Sequence, residues 1–203
     1  MTGFHSPLPL GFLASHGGSN LQAILDAIAQ GFLNAQARLV ISNNSKAKAL
    51  DRAQNFGIPT LHMSQATHPD AESLDAAIAQ ALLDHGVQLV VLAGYMRKIG
   101  PAVLKAYPGR ILNIHPALLP KFGGQGMYGM NVHEAVLKAG EAESGATIHI
   151  VDSEYDRGPI LAQAVVPVLP NDNAESLQAR VLEQEHLLYP QTIARIIKGE
   201  IPL

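Results

Sequence analysis

The segment VQLVVLAGY, residues 87–95, is the most apolar run in the chain. Its aliphatic and β-branched side chains leave no polar face, which is typical of a central parallel strand covered on both sides by helices. A helical pattern that ends at Gly86 precedes the segment, and a short helical pattern at residues 102–109 follows it. This order of helix, buried strand and helix predicts a parallel α/β sheet built around residues 87–95.

The rest of the chain extends this alternation in both directions. Four further strands are expected at residues 9–14, 37–42, 58–63 and 110–115, and three further helices at residues 21–32, 47–57 and 71–86. After residue 115 the order changes to a helix at 132–140, two closely spaced strands at 145–152 and 159–168, and a helix at 174–198 that we expect Pro190 to interrupt. The prediction is an open, mostly parallel twisted sheet with helices on both faces, with antiparallel strands added near the C-terminus. We expect one domain over residues 1–203.

Composition excludes several classes of protein. The chain has 203 residues, a formal net charge of -3, scattered Lys and Arg, and no cysteine. A nucleic-acid groove and a basic membrane face are therefore not expected, and cysteine nucleophiles, disulfides and cysteine-bound zinc are excluded. No apolar run approaches the roughly 18 residues of a membrane helix, and the first ten residues lack the basic start and long apolar segment expected of a signal peptide. We expect a cytoplasmic protein, since a reducing compartment is compatible with the lack of cysteine, and a small local cationic pocket stays possible.

A glycine pair follows the first predicted strand, in the segment SHGGSN at residues 15–20. Backbone N–H groups at the start of the next helix could hold an anion, because the helix N-terminus favours negative charge. The alternative is a tight turn in which Ser19 or Asn20 only caps the helix. The position at the C-terminal end of a parallel strand slightly favours ligand binding.

The segment ILNIHPALLP, residues 111–120, places two polar side chains in an apolar strand. Because alternate residues share a face, Asn113 and His115 lie on one side of the strand, at the same sheet edge as the glycine loop. They are either a buried anchor for the following loop or part of a site. An amide and an imidazole suit acyl transfer, since both can donate to a developing oxyanion and histidine can also move protons.

An acidic loop, DSEYDRGPI at residues 152–160, lies between the last two predicted strands. It is either a solvated hairpin loop or the source of a carboxylate that raises the pKa of a histidine. The spacing does not decide which of Asp152, Glu154 and Asp156 this is. The histidines lack metal-binding spacing, so we expect no metal site.

Taken together, these segments resemble the folate-dependent formyltransferases, and within them the phosphoribosylglycinamide formyltransferase family of purine synthesis. The wider family is indicated by LNIHPALLP and by the pattern D-x-G-P-I-L-x-Q, whereas GSNLQAI and QEH-x-x-YP indicate this branch. The resemblance covers nearly the whole chain. It implies transfer of a formyl group from 10-formyltetrahydrofolate to the amine of 5′-phosphoribosylglycinamide, by a monomer or homodimer that needs no metal.

The resemblance also implies roles for individual residues. The catalytic set is Asn113, His115 and Asp156. The substrate phosphate and ribose are expected at Gly18, Ser19, Asn20 and Glu185. The folate is expected at Met96, Arg97, Ile99, Ser153, Glu154, Tyr155, Arg157 and Gly158. Behind the catalytic set we expect His149 and His133.

Two segments depart from the usual family pattern. GGQGMYGMNVHEAV, residues 123–136, is longer and richer in glycine than the usual Pro-Gly step, so the loop over the substrate is expected to differ in shape and mobility. The chain also has D-R-G-P where D-G-G-P is frequent, so Arg157 either adds positive charge near the folate or faces solvent.

Three other functions compete with this interpretation. Formyltetrahydrofolate deformylases pass the formyl group to water but usually carry an additional N-terminal domain. Methionyl-tRNA formyltransferases need a C-terminal tRNA-binding domain, which a chain ending at Leu203 is not expected to contain. A non-catalytic folate or nucleotide binding module is disfavoured because Asn113, His115 and Asp156 are all present.

Overall fold

The computed structural model describes residues 7–203, which form seven strands and six helices. In chain order these are β1 (Leu8–Ala14), α1 (Ser19–Ala29), β2 (Ala35–Ser42), α2 (Lys48–Asn55), β3 (Thr60–His62), α3 (Ala71–Asp84), β4 (Leu89–Leu92), α4 (Pro101–Ala106), β5 (Ile111–His115), α5 (Met130–Lys138), β6 (Glu143–Ile150), β7 (Ile160–Pro167) and α6 (Ala174–Ile197).

All seven strands join one sheet in the order β3-β2-β1-β4-β5-β6-β7. The pairs from β3 to β5 are parallel, whereas β5 with β6 and β6 with β7 are antiparallel. The predicted open, mostly parallel sheet with antiparallel strands near the C-terminus is therefore confirmed. The strand order reverses beside β1, because β2 lies on one side of it and β4 on the other, and ligands of such sheets bind at this kind of reversal.

Helices cover both faces of the sheet, as predicted. One buried apolar cluster joins the sheet to α1, α2, α5 and α6, and includes Leu112 and Ile114 of β5. A second cluster joins the opposite face to α3 and α4 and includes Ile111. The alternation expected along β5 is therefore present, and it leaves Asn113 and His115 facing together at the C-terminal end of the strand.

The predicted interruption of the last helix is wrong, because α6 continues through Pro190 to Ile197. Its neighbour Tyr189 is fully buried and its hydroxyl lies 3.2 Å from the Leu92 carbonyl oxygen and 3.0 Å from that of Leu112. Ile193, also fully buried, anchors the next turn. Tertiary packing on both sides of the proline thus outweighs the loss of one backbone hydrogen bond.

The central strand is shorter than the sequence pattern indicated. β4 ends at Leu92, and Gly94 adopts a left-handed conformation with φ 75° that turns the chain away from the sheet. The Met96 N–H donates to Ser15 Oγ at 2.8 Å, which holds the segment that follows this turn beside the end of β1. Within residues 7–203 no helix is long and apolar enough to span a membrane.

Candidate active site

A cavity of about 1100 Å³ lies at the C-terminal ends of β1, β4 and β5. The glycine loop before α1 borders one end of it, and the acidic loop between β6 and β7 borders the other. The glycine-rich loop at residues 124–129 and one face of α6 complete the wall. The segments singled out in the sequence therefore meet around one space.

The glycine loop presents backbone N–H groups to this cavity. Gly18 precedes α1 in a left-handed conformation with φ 66°, and no side chain caps the helix, so the alternative in which Ser19 or Asn20 is only a cap is not what the structure shows. The first hydrogen bond of the helix runs from Gln22 N–H to Gly18 O at 2.9 Å. The earlier N–H groups precede the intrahelical ladder and face an open cavity, which is an arrangement suited to an anion.

Glu185 of α6 lies against this loop. The Asn20 amide nitrogen donates to Glu185 Oε2 at 2.6 Å, and both side chains are buried. Burial raises the pKa of Glu185 to about 7, and the hydrogen bond from Asn20 opposes this rise. Glu185 thus changes charge close to neutral pH, at the edge of the cavity where the resemblance places a ribose.

At the other end, β5 supplies Asn113 and His115. His115 is buried and its Nε2 lies 2.7 Å from the Phe122 carbonyl oxygen, so this nitrogen carries a proton and donates it. Its Nδ1 lies 3.5 Å from Asp156 Oδ2. The structure thus brings together the catalytic residues that the resemblance indicated, including the choice of Asp156 among the three carboxylates.

Asp156 is held in a strained position by the loop before α5. Its backbone is left-handed with φ 54°, and its Oδ2 accepts the Gly124 N–H at 2.9 Å. Burial by itself raises the pKa of Asp156, but His149, His115 and the Gly124 N–H together outweigh it, so the net pKa is below the ordinary value. Asp156 is therefore a carboxylate at neutral pH.

The carboxylate of Asp156 raises the pKa of His115, which is the effect considered above for a carboxylate of the acidic loop. Burial lowers the pKa of His115, and the opposing effects of Asp156 and of the Phe122 carbonyl group do not fully compensate. The sequence could not indicate this, because the loss of solvation depends on the loop that covers the ring.

His149 connects Asn113 with Asp156. Its Nδ1 lies 3.0 Å from the Ile150 carbonyl oxygen, which can only accept, so Nδ1 carries a proton. Its Nε2 lies 3.1 Å from Asn113 Nδ2 and 3.4 Å from Asp156 Oδ1. When the His149 ring is neutral, its Nε2 accepts one N–H of the Asn113 amide, and the second N–H of that amide is available to a ligand. When the ring is an imidazolium, its Nε2–H donates to the Asp156 carboxylate instead.

His133 lies on α5 and borders the same cavity. It is 2% exposed, and its Nδ1 has no hydrogen-bond partner among the described residues. Burial and the nearby His115 both lower its pKa. The structure therefore places His133 near His115 at the same cavity, and its role there stays a prediction.

The residues expected at the folate divide into two groups. The cavity wall contains Met96, Arg97, Ile99, Glu154 and Tyr155. Ser153 and Arg157 are exposed outside this wall. Gly158 is buried, and a Cβ there would collide with the Ile150 carbonyl oxygen, so its visible role is close backbone packing.

Several cavity residues were not predicted from the sequence. Gln178 and Leu182 line the cavity together with Glu185. Gln178, Leu182 and Glu185 are four and three residues apart and therefore share one helix face. Helical spacing from Glu185 would have predicted the other two. Lys98 was also not predicted. Its Nζ lies 5.6 Å from the centre of the Tyr155 ring, so this contact connects two walls of the cavity.

Among residues 7–203 no group of three or more acidic or histidine side chains could hold a metal ion.

Comparison with known proteins agrees with this arrangement. A model of the formyl transferase family matches residues 10–193. The chain belongs to the formyl transferase family. It is 38% identical to phosphoribosylglycinamide formyltransferase of Escherichia coli K12, over 94% of this chain and 88% of that protein. The resemblance inferred from the motifs is thereby confirmed.

Longer relatives and solved structures belong to the same group. The chain is 42% identical to chloroplastic phosphoribosylglycinamide formyltransferase of Arabidopsis thaliana, over 95% of this chain and 66% of that one, so it spans slightly less than two thirds of this relative. The crystal structure of glycinamide ribonucleotide transformylase 1 from Symbiobacterium toebii superposes with a TM-score of 0.91 at 42% identity, over 97% of this chain and 90% of that one.

Proposed function

We propose that the chain transfers the formyl group of 10-formyltetrahydrofolate to the amine of 5′-phosphoribosylglycinamide, a step of purine synthesis. The observation that carries this proposal is one cavity with a helix N-terminus that no side chain caps at one end and the Asn113 amide and His115 imidazole at the other. A phosphorylated acceptor needs the first feature and formyl transfer needs the second. Family membership and the names of the relatives support the same activity.

In this mechanism the amine nitrogen attacks the formyl carbon and a tetrahedral oxyanion forms. The free N–H of Asn113 and the Nε2–H of His115 donate to that oxygen, which competes with the Phe122 carbonyl for the histidine proton. The ionised Asp156 then accepts, directly or through water, the proton that the attacking nitrogen loses. That proton passes to N10 of the folate as the bond between N10 and the formyl carbon breaks.

The cradle of Gly18, Ser19 and Asn20 holds the phosphate in this proposal, and Glu185 lies beside the ribose. The folate lies between the segment at 96–99 and the acidic loop, whose Glu154 and Tyr155 face the cavity. Roles for Ser153, Arg157 and Gly158 stay predictions, as do a cytoplasmic location, a monomer or homodimer, a single domain and independence from metal ions.

One assay separates this activity from its alternatives. The protein is incubated with 10-formyltetrahydrofolate, with and without 5′-phosphoribosylglycinamide, and tetrahydrofolate release is measured. We expect release only with the acceptor. Equal release without the acceptor would indicate deformylation, and folate binding without release would indicate a non-catalytic module; either result would contradict the proposal.

A further inference from the structure

The two carbonyl groups of the glycine loop point towards α2 and not into the cavity. The Ala49 N–H donates to His16 O at 3.1 Å, and Arg52 Nε donates to Gly17 O at 2.8 Å. In a planar trans peptide the C=O and the following N–H point in opposite directions. The N–H groups of Gly17 and Gly18 are therefore turned away from α2, on the side where the loop borders the cavity.

The peptide between Gly17 and Gly18 can rotate more easily than its neighbours, so its orientation depends most on the hydrogen bond to the Gly17 carbonyl group. Both flanking residues are glycines, so no Cβ hinders rotation of this peptide. A rotation by half a turn would place the Gly17 carbonyl oxygen in the cradle, where it would repel a phosphate. Hydrogen bonding of Gly17 O on the outer side of the loop excludes that orientation.

The Arg52 guanidinium is itself fixed in place. Its Nη1 donates to Gln22 Oε1 at 2.8 Å, and Gln22 Nε2 donates to Asp26 Oδ1 at 2.8 Å. Two bonds from one planar group define its orientation. Arg52 forms no ion pair with a carboxylate among residues 7–203, so its charge is not neutralised at close range.

We propose that Arg52 is a positioning residue for the phosphate of the acceptor substrate: it holds the Gly17–Gly18 peptide with its N–H towards the cavity and brings positive charge behind the cradle. This inference rests on the proposed function for the identity of the acceptor. It adds a residue outside the cavity wall, on a helix to which neither the motifs nor the resemblance assigned a role.

The test compares Arg52→Met with Arg52→Lys. Loss of a hydrogen bond from a charged group predicts a rise in KM for 5′-phosphoribosylglycinamide of roughly 10- to 100-fold in Arg52→Met, and a smaller rise in Arg52→Lys, which keeps the charge. We expect kcat and the KM for the folate to stay within about twofold, since neither Arg52 bond reaches the catalytic groups. With the unphosphorylated glycinamide riboside, kcat/KM should be the same in Arg52→Met and in the wild type.

Arg38→Met is the matched control, because Arg38 Nε also donates to a backbone carbonyl, His85 O at 3.1 Å, near the opposite end of β2. It should leave both KM values unchanged. A wild-type KM for the phosphorylated acceptor in Arg52→Met would overturn the inference, as would an equal loss of kcat/KM for the riboside. If Arg52→Met does not fold, Arg52→Lys is compared with the wild type instead. A wild-type KM for the phosphorylated acceptor in Arg52→Lys would then overturn the inference.

Failure of the proposed function would look different. In that case the wild type itself would show no acceptor-dependent formyl transfer. Calorimetric binding of inorganic phosphate then tests the cradle alone, and we expect weaker binding by Arg52→Met than by the wild type or Arg38→Met. Equal phosphate affinity in all three proteins would overturn the role of Arg52.

Discussion

The two ends of the cavity are built in different ways. The cradle at Gly18 consists of backbone N–H groups fixed by a left-handed glycine and by hydrogen bonds to α2. The proposed catalytic end consists of the side chains of Asn113, His115 and Asp156, which are hydrogen-bonded to His149 or to the backbone of residues 122–124. Backbone geometry is insensitive to pH, whereas the side-chain set depends on which atoms carry protons. Substitutions at the cradle should therefore act by changing backbone geometry, whereas substitutions at the catalytic end should act by removing hydrogen-bond donors or proton acceptors.

The largest expected effect is on turnover at the catalytic end. Asn113→Ala or His115→Ala removes one oxyanion donor, and we expect kcat to fall roughly 10²- to 10³-fold or more while the acceptor still binds. Steady-state kinetics checks this, with Arg52→Met as the comparison at the other end, where KM for the phosphorylated acceptor should rise more than kcat falls. Near-wild-type turnover in either alanine variant would contradict the assignment.

The next effect concerns Glu185, which lies at the cradle beside Asn20. Its pKa is raised from 4.5 to about 7 by burial, so the folded state holds a proton that the unfolded state has released between these two values. The free energy of unfolding should therefore fall as pH rises from about 4.5 to 7, by at most roughly 3 kcal/mol, and level off above pH 7.

Urea unfolding across this pH range measures that slope. Glu185→Gln keeps an oxygen that can accept from Asn20 but cannot titrate, so it should remove this part of the slope. If the wild type and Glu185→Gln show the same pH dependence of stability, Glu185 does not have a raised pKa.

A smaller effect is expected from a methyl group at the cradle. A Cβ on Gly18 would lie 2.7 Å from the Ala49 Cβ, in a left-handed conformation that costs other residues about 1–2 kcal/mol. Gly18→Ala should lower the melting temperature and raise the KM for the phosphorylated acceptor. Gly17→Ala is the control, since a Cβ there meets nothing within 4 Å. Equal effects of the two substitutions would show that Gly18 has no special constraint.

The smallest effect is a shift in a single titration. Burial lowers the pKa of His115 below 6.5, and the Asp156 carboxylate raises it part of the way back. Asp156→Asn should therefore lower the pKa of His115 further, which NMR titration of the imidazole Cε1 proton can follow. A wild-type pKa above 6.5, or a rise in Asp156→Asn, would contradict the balance described here.

Much of the fold could be predicted because its strands are short apolar runs that glycines separate from helices. The pairing of Asn113 and His115 was also accessible, since alternation along a strand is local. The place of Asp156 was not, because it depends on the antiparallel pairing of Asn113 with His149 across β5 and β6. The protonation of His115 depends on the covering loop, and the continuity of α6 at Pro190 depends on packing, so neither is visible in local sequence.

The contact between Asn20 and Glu185 has a consequence for how the protein acquires its activity. These side chains are 165 residues apart in the sequence, yet they share one hydrogen bond. Contacts that close so long a loop carry a large entropic cost and contribute to slow folding. Asn20 lies on α1 and Glu185 on α6, so this wall of the cavity needs both ends of the chain in place. The proposed acceptor end of the cavity therefore cannot form until the last helix of the chain packs against the first.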